Sequence, residues 1–261
     1  MSYPEYLKLG ENLIFDTHAH YDDSRFDGFR DELLSELHHY GVKNIITCGV
    51  DGDSSRAALA LAEKYAFMFA AVGIHPENLE RNTPLDDIRC LSAHKKCVAI
   101  GEIGLDYYYT SDNKEEQLKV FEEQVILANE LSLPVIVHDR EAHADTLEVL
   151  KRHKPKGVLH CFSGSEEMAK EIIKLGMCIG VGGSVTFKNA RKLPEVITAI
   201  PKERLLLETD CPYLCPEPYR GKLCHSGYIA ITAQKVAEIL GLSRDKVLRI
   251  TSKNASNLFS V

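Results

Sequence analysis

Eight short apolar, β-rich runs recur along the chain with amphipathic stretches between them, and this alternation limits the possible fold more than any other feature. The runs are Leu13–Phe15, Asn44–Cys48, Phe67–Val72, Val98–Gly101, Val135–His138, Val158–His160, Cys178–Val181 and Arg204–Glu208. Buried-type strands alternating with helical segments are the pattern of βα units on a parallel sheet. A length of 261 residues suits such units closing on themselves, since α/β barrels of about 250 residues form single domains. No internal repeat, low-complexity tract or Pro/Gly-rich linker marks a boundary. The expected fold is therefore α/β, a (β/α)8 TIM barrel, as one domain over residues 1–261 with residues 1–11 as a short extension.

The stretches between the runs carry helix punctuation. Asp53-Ser54 can cap a helix reaching Tyr65, and Asp112-Asn113 with Glu115-Glu116 opens an apolar-periodic run to Leu131. Ser165 followed by Glu166-Glu167 opens another that Gly176 closes, and a final pair is expected over Tyr228–Leu240 and Ser243–Leu258. A hydrophobic fraction of 44% and a charged fraction of 26% supply an ordinary globular core and exclude wholesale disorder.

Several function classes drop out early. A net charge of −7 argues against broad adhesion to polyanions, which needs clustered Lys and Arg, although it leaves nucleic acid open as a substrate. No run approaches the roughly 18 apolar residues of a membrane span, so no membrane association is expected. Eight cysteines fall short of disulfide-scaffold density, and no basic segment followed by an apolar one opens the chain. The expected location is the reducing cytoplasm. No protein partner is readable.

The strand ends carry the chemistry. The first run leads into Asp16-Thr17-His18-Ala19-His20, and the period-two alternation of a strand points His18 and His20 the same way. His138 follows Pro134-Val135-Ile136-Val137, His160 follows Gly157-Val158-Leu159, Glu102 follows Val98-Ala99-Ile100-Gly101, and Asp210 follows Leu205-Leu206-Leu207-Glu208-Thr209. In a barrel the carboxyl ends of the strands converge on one face, where active sites sit. Four imidazoles and two carboxylates gathered there suit a pair of cations such as Zn or Mn, and Glu102 has two oxygens with which to bridge them.

Taken in order, His18-Ala19-His20, Gly73-Ile74-His75-Pro76, Gly101-Glu102-Ile103-Gly104-Leu105-Asp106-Tyr107, His138-Asp139-Arg140, His160-Cys161-Phe162-Ser163-Gly164 and Glu208-Thr209-Asp210 resemble the TatD family of metal-dependent deoxyribonucleases. The resemblance spans Ile14 to about Phe259. It implies an amidohydrolase-like barrel with two divalent metal ions per chain (Zn, Mg or Mn). His18, His20 and Asp210 would hold one ion, His138 and His160 the other, and Glu102 would bridge them. By the same resemblance, His75 would face the substrate phosphate and not a metal. The implied reaction is hydrolysis of DNA phosphodiester bonds by activated water, and Asp210 is the candidate to orient that water or take its proton. Nothing in the sequence forms a DNA-sequence-reading helix or an extended basic stripe, so single strands or strand ends are the expected substrates.

Other residues carry two readings each. Arg140 reaches a phosphate oxygen or makes a salt bridge across the rim, and Ser163-Gly164 and Gly182-Gly183-Ser184 present backbone N–H groups to a phosphate or simply turn. Tyr107, Tyr108 and Tyr109 stack on a base or pack. After Asp210, Pro212-Tyr213-Leu214 and Arg220-Gly221-Lys222 follow the family pattern, with Lys222 a candidate phosphate contact. Cys211 replaces the family's usual Ser, and Leu223-Cys224-His225-Ser226-Gly227 departs from its usual Asn and Pro. Cys211, Cys215, Cys224 and His225 form a further Zn site or are packed thiols. Two rival functions keep the barrel: hydrolysis of an ester, amide or lactone at the same metals, and a non-catalytic metal-binding scaffold.

Overall fold

The computed structural model describes residues 11–109 and 111–261; the expected extension lies outside the described residues except for Glu11. The strands are β1 (Ile14–Ala19), β2 (Val42–Cys48), β3 (Met68–Val72), β4 (Cys97–Asp106), β5 (Val135–Arg140), β6 (Gly157–Leu159), β7 (Cys178–Val181) and β8 (Leu205–Leu207). Between and after them run α1 (Arg30–His39), α2 (Gly52–Lys64), α3 (Leu85–Ser92), α4 (Lys114–Leu131), α5 (His143–His153), α6 (Glu166–Lys174), α7 (Lys192–Ala199), α8 (Ile229–Leu240) and α9 (Arg244–Phe259). The strands pair in parallel in the order β1 to β8. Closure between β8 and β1 comes from the segment beyond β8: Asp210 N–H donates to the His18 carbonyl at 2.9 Å, His20 N–H to the Cys211 carbonyl at 2.7 Å, and Thr17 Oγ1 to the Leu207 carbonyl at 3.1 Å.

All eight expected strands form, giving a (β/α)8 barrel. Phe15, Ile46, Ala71, Val98, Ile136, Val158, Cys178 and Leu206 come one from each strand yet pack in a single cluster, so they fill the barrel's interior. Ala255 and Phe259 of α9 join that cluster, and the Phe259 ring lies 6.4 Å from that of Phe15. The outward strand residues, among them Ile14, Ile45, Val137 and Leu207, pack in a second cluster with apolar faces of the helices. Among the described residues no helix is long and apolar enough to cross a membrane.

Two local expectations are corrected. The residue that caps α2 is Asp51 and not Asp53: its carboxylate accepts from Ser54 N–H while the Ser54 hydroxyl accepts from Asp51 N–H, a reciprocal capping box. Strand β4 does not stop near Gly101 but runs on to Asp106, placing Glu102 within the strand and not at its end. The continuation pairs Gly104 with His138 and Asp106 with Arg140. Gly104 permits this close approach, having φ of +144° and a position where any Cβ would meet the His138 carbonyl oxygen at 2.0 Å.

Candidate metal centre

Six of the residues singled out from the sequence meet at the carboxyl-terminal mouth of the barrel. His18 lies on β1 and His20 just beyond it, Glu102 on β4, His138 on β5, His160 just past β6, and Asp210 three residues past β8. Asp210 holds a left-handed backbone conformation, φ +61°, which is uncommon for an aspartate. Its N–H bond to His18 and the Tyr213 N–H bond to its own carbonyl, both 2.9 Å, fix that turn and aim the carboxylate at the two histidines.

One oxygen of Glu102 faces a first set of groups. His18 Nε2 and His20 Nε2 are 3.1 Å apart; each is 3.3 or 3.4 Å from Glu102 Oε2 and 3.5 or 3.4 Å from Asp210 Oδ1. Four donor atoms held about 2.0–2.1 Å from a tetrahedral cation stand about 3.3–3.4 Å from one another. The five spacings that involve the two histidines therefore fit one divalent ion held by His18 and His20 together with Glu102 and Asp210. The other oxygen of Glu102 faces a second set: Oε1 is 2.8 Å from His160 Nε2 and 3.0 Å from His138 Nδ1, and those nitrogens are 3.3 Å apart.

In two of the four rings a bond at the far nitrogen sets which near nitrogen can offer a lone pair. His20 Nδ1 lies 3.0 Å from the Cys48 carbonyl, and His138 Nε2 lies 3.0 Å from Asp106 Oδ2. A carbonyl and a carboxylate accept, so each of these two rings keeps its outward proton, and the nitrogen toward Glu102 is the one laid bare when the ring becomes neutral. His75 is the reverse. Its Nδ1 accepts from Glu77 N–H at 3.2 Å, which places the proton on Nε2, 3.4 Å from Glu102 Oε1. His75 therefore stands as close to the bridging carboxylate as a ligand would, T-stacked on His138 at 4.5 Å, but presents an N–H donor.

The electrostatics match a cation-binding cluster. Burial pushes the Glu102 carboxyl up, but His75, His18 and His160 beside it, with a hydrogen bond from His138, hold it well below the usual carboxylate range. Burial pushes His138 down, yet its bonds to Asp106 and Glu102 hold it up at about 9. Half-buried His20 and buried His160 are likewise held well above their ordinary value against desolvation, His20 by Asp210 and Glu102 and His160 by Glu102 and Glu208. Burial lowers His18 and His75, against the pull of Glu102. The carboxylates thus favour positive charge at the places where the ligand geometry would seat it.

The remaining sequence candidates are not in the cluster. Arg140 ends β5 and lies against Tyr108 and Tyr109, while Ser163 and Lys222 are exposed on loops at that end of the barrel. Among the described residues Cys211, Cys215, Cys224 and His225 do not converge as a group of metal-capable donors; the Cys215 and Cys224 thiols hydrogen-bond to each other, and His225 stacks on Tyr228 at 4.2 Å. Sequence reasoning gave no role to Asp106, the Cys48 carbonyl or the Glu77 N–H, although Asp106 shares the alternating face of Glu102 and Gly104. It also missed Glu208, which accepts from Cys161 N–H behind His160 and packs against Gly180, where a Cβ would meet Glu208 Oε2 at 2.4 Å.

The family model for TatD related DNase matches residues 15–260. The chain is 40% identical over 254 residues to the uncharacterized metal-dependent hydrolase YabD of Bacillus subtilis, covering 95% of this chain and all of that one. It is 34% identical over 259 residues to the 3'-5' ssDNA/RNA exonuclease TatD of Cronobacter sakazakii, covering 94% and 97% of the two chains. The crystal structure of the TatD homologue YjjV from Escherichia coli superposes with a TM-score of 0.90 at 34% identity, over 96% of this chain and 99% of that one.

Proposed function

The chain belongs to the TatD family of metal-dependent hydrolases, and from that premise we propose that it hydrolyses phosphodiester bonds of DNA, on single strands or at strand ends. The relative from Cronobacter sakazakii, a 3'-5' ssDNA/RNA exonuclease, supports the strand preference. The observation that carries the reading is the division of Glu102 between two donor sets. Oε2 faces His18 and His20, which Asp210 also approaches, and Oε1 faces His138 and His160. In our reading these six residues hold two divalent ions, Zn, Mg or Mn.

Ions so held supply Lewis acidity, lowering the pKa of water and neutralising phosphoryl charge. The protein does the rest. Asp210, kept below its ordinary pKa because His20 and His18 outweigh the effect of burial, is ionised at neutral pH. Its side chain keeps some solvent contact, so it is placed to orient the attacking water and accept its proton. Water oxygen bonds to phosphorus, the bond to the leaving sugar oxygen breaks, and that oxygen takes a proton from solvent while Asp210 returns to solvent the one it accepted. His75, with its proton on Nε2, donates to a non-bridging phosphoryl oxygen, and Glu102 holds the two histidine sets in register. Arg140, Ser163 and Lys222 are proposed phosphate contacts at the mouth. Eight free thiols suit a reducing cytoplasm.

The test pairs metal content of the purified protein with cleavage of a labelled single-stranded oligonucleotide before chelation, after it, and after divalent metal is restored. About two ions per chain and cleavage that vanishes and returns support the proposal. Metal with turnover of carboxyl esters far above that of any phosphodiester overturns the substrate, and absence of metal under replete conditions overturns the site.

A further inference from the structure

Large apolar side chains on a globular surface are usually scattered, but here the exposed ones gather. Tyr108, Tyr109 and Tyr213 are 60%, 61% and 50% exposed, and Leu214 is exposed beside Tyr213. Ile126 on α4 is the one other large hydrophobic side chain exposed among the described residues. The three tyrosines belong to the loops after β4 and β8, at the mouth that holds the metal centre. Strands β4 and β5 stand across the barrel from β8 and β1, so the cluster lies between two aromatic groups.

Each group carries an arginine against a ring. The Arg140 guanidinium carbon lies 4.2 Å from the centre of the Tyr108 ring and 4.5 Å from that of Tyr109, and the two rings meet edge to face at 4.8 Å. Opposite, the Arg25 guanidinium lies 4.0 Å from the Tyr213 ring and is held by the Asp23 carboxylate at 2.8 and 3.0 Å. Arg140 has no carboxylate ion-paired to it among the described residues, so its charge faces the mouth uncompensated. Both groups are also tied to the metal centre through backbone. Asp106, which orients His138, accepts from the N–H groups of Tyr108 and Tyr109 at 2.9 and 2.8 Å, and Tyr213 N–H donates to the Asp210 carbonyl.

Burial does not account for rings this exposed, and pre-ordered flat rings beside guanidinium groups suit a ligand with flat faces and negative charge. Nucleobases joined by phosphates are such a ligand, but in a duplex their faces are covered by neighbouring pairs. We infer that the Tyr108–Tyr109–Arg140 and Tyr213–Arg25 groups are two nucleobase platforms flanking the scissile phosphate, which take up unpaired bases on its two sides. This rests on the phosphodiesterase reading above and adds to it a structural basis for choosing single strands: a base must leave its partner to reach a platform. Arg140 adds attraction for the adjoining phosphate.

The experiment measures binding apart from turnover. Fluorescence anisotropy is used to titrate metal-loaded protein into two phosphorothioate-linked single strands of equal length, one with natural bases and one abasic. Wild type is compared with Tyr108→Ala/Tyr109→Ala, Tyr213→Ala and the corresponding Phe variants. Stacking on an aromatic side chain is worth about 5- to 150-fold in affinity per base. The expected result is at least fivefold weaker binding of the base-bearing strand by each Ala variant, unchanged binding of the abasic strand, and near wild-type behaviour of the Phe variants. Equal losses on both strands, or none, overturn the platforms while leaving the nuclease reading intact if wild type still binds and cleaves single strands. Wild type that binds neither strand overturns both.

Discussion

His138 Nε2 lies 3.0 Å from Asp106 Oδ2 while its Nδ1 faces Glu102, so Asp106 decides which nitrogen of His138 is left bare for a cation. Asp106→Asn isolates that role. An amide oxygen in place of Oδ1 still accepts from Tyr108 and Tyr109 N–H, but an NH2 in place of Oδ2 repels the His138 N–H and turns the proton toward Glu102. Groups that orient metal-bound histidines are worth 10- to 100-fold in affinity or activity. A metal titration followed by elemental analysis should show that loss confined to one of two ions, and the metal-free protein should melt at a lower temperature at neutral pH, where protonated His138 loses its charged partner.

Proton release on metal binding follows from the same ring. Without metal, His138 titrates at about 9, because its bonds to Asp106 and Glu102 outweigh burial; an ordinary histidine titrates near 6.5. Its protonated form therefore adds stability to the metal-free protein that is complete below about pH 6.5 and lost as pH rises through about 9. A cation must displace that proton. Calorimetry at pH 7 in buffers of different ionisation enthalpy should record release of at least one proton per chain, and metal affinity should rise with pH up to about 9. Binding at pH 7 with no proton released would contradict this.

The barrel was legible in the sequence because its strands are short, continuous apolar runs bounded by helix punctuation, and Val135–His138 and Cys178–Val181 needed nothing more. Strand β4 was read short because Gly101 and Gly104 interrupt its apolar run; the reason for Gly104, contact with the His138 carbonyl oxygen, exists only once β5 lies beside it. The proposed metal ligands stood out because chemically distinctive side chains follow apolar runs. Their supporting groups did not. Two of them are backbone atoms, at Cys48 and Glu77, and carry no side-chain signature, while the pairing of Asp106 with His138 depends on a register between strands more than thirty residues apart.

The floor of the barrel sets stability independently of the mouth. Phe259 is buried against Phe15 and the interior side chains of the strands. Phe259→Ala removes a large side chain from a close-packed site and should cost about 3–5 kcal/mol, read as a lower urea midpoint. Metal content per folded molecule should stay at the wild-type level, because the change lies at the opposite end from Glu102.

Behind the metal centre, Asp16 accepts from Ser226 Oγ at 2.7 Å and from Thr209 Oγ1 at 2.6 Å, and Ser226 also meets the Tyr21 hydroxyl at 2.8 Å. This buried chain ties the segment after β8 to β1. Ser226→Ala leaves two buried oxygens with one partner fewer, which costs about 1–3 kcal/mol. Because Thr209 directly precedes Asp210, the same variant should also slow turnover. Unfolding by urea and steady-state kinetics read the two effects separately; a stability loss with unchanged kinetics would show that Asp210 is held by its own backbone bond to His18 and not by this chain.

His75 and Glu102 separate ligation from donation. Glu102 faces both donor sets, so Glu102→Ala should lower metal content and abolish turnover together. His75 Nε2 is only 3.4 Å from Glu102 Oε1, and distance alone would admit it as a ligand. The Glu77 N–H on Nδ1 decides otherwise, since the neutral ring that accepts there must carry its proton on Nε2 and has no lone pair to offer. His75→Ala should therefore lower kcat by roughly 100- to 1,000-fold, the cost of removing one hydrogen-bond donor to a developing oxyanion, while metal content stays near two ions per chain. Equal metal loss in both variants would mean that Nε2 binds the cation and that the Glu77 contact yields when it does.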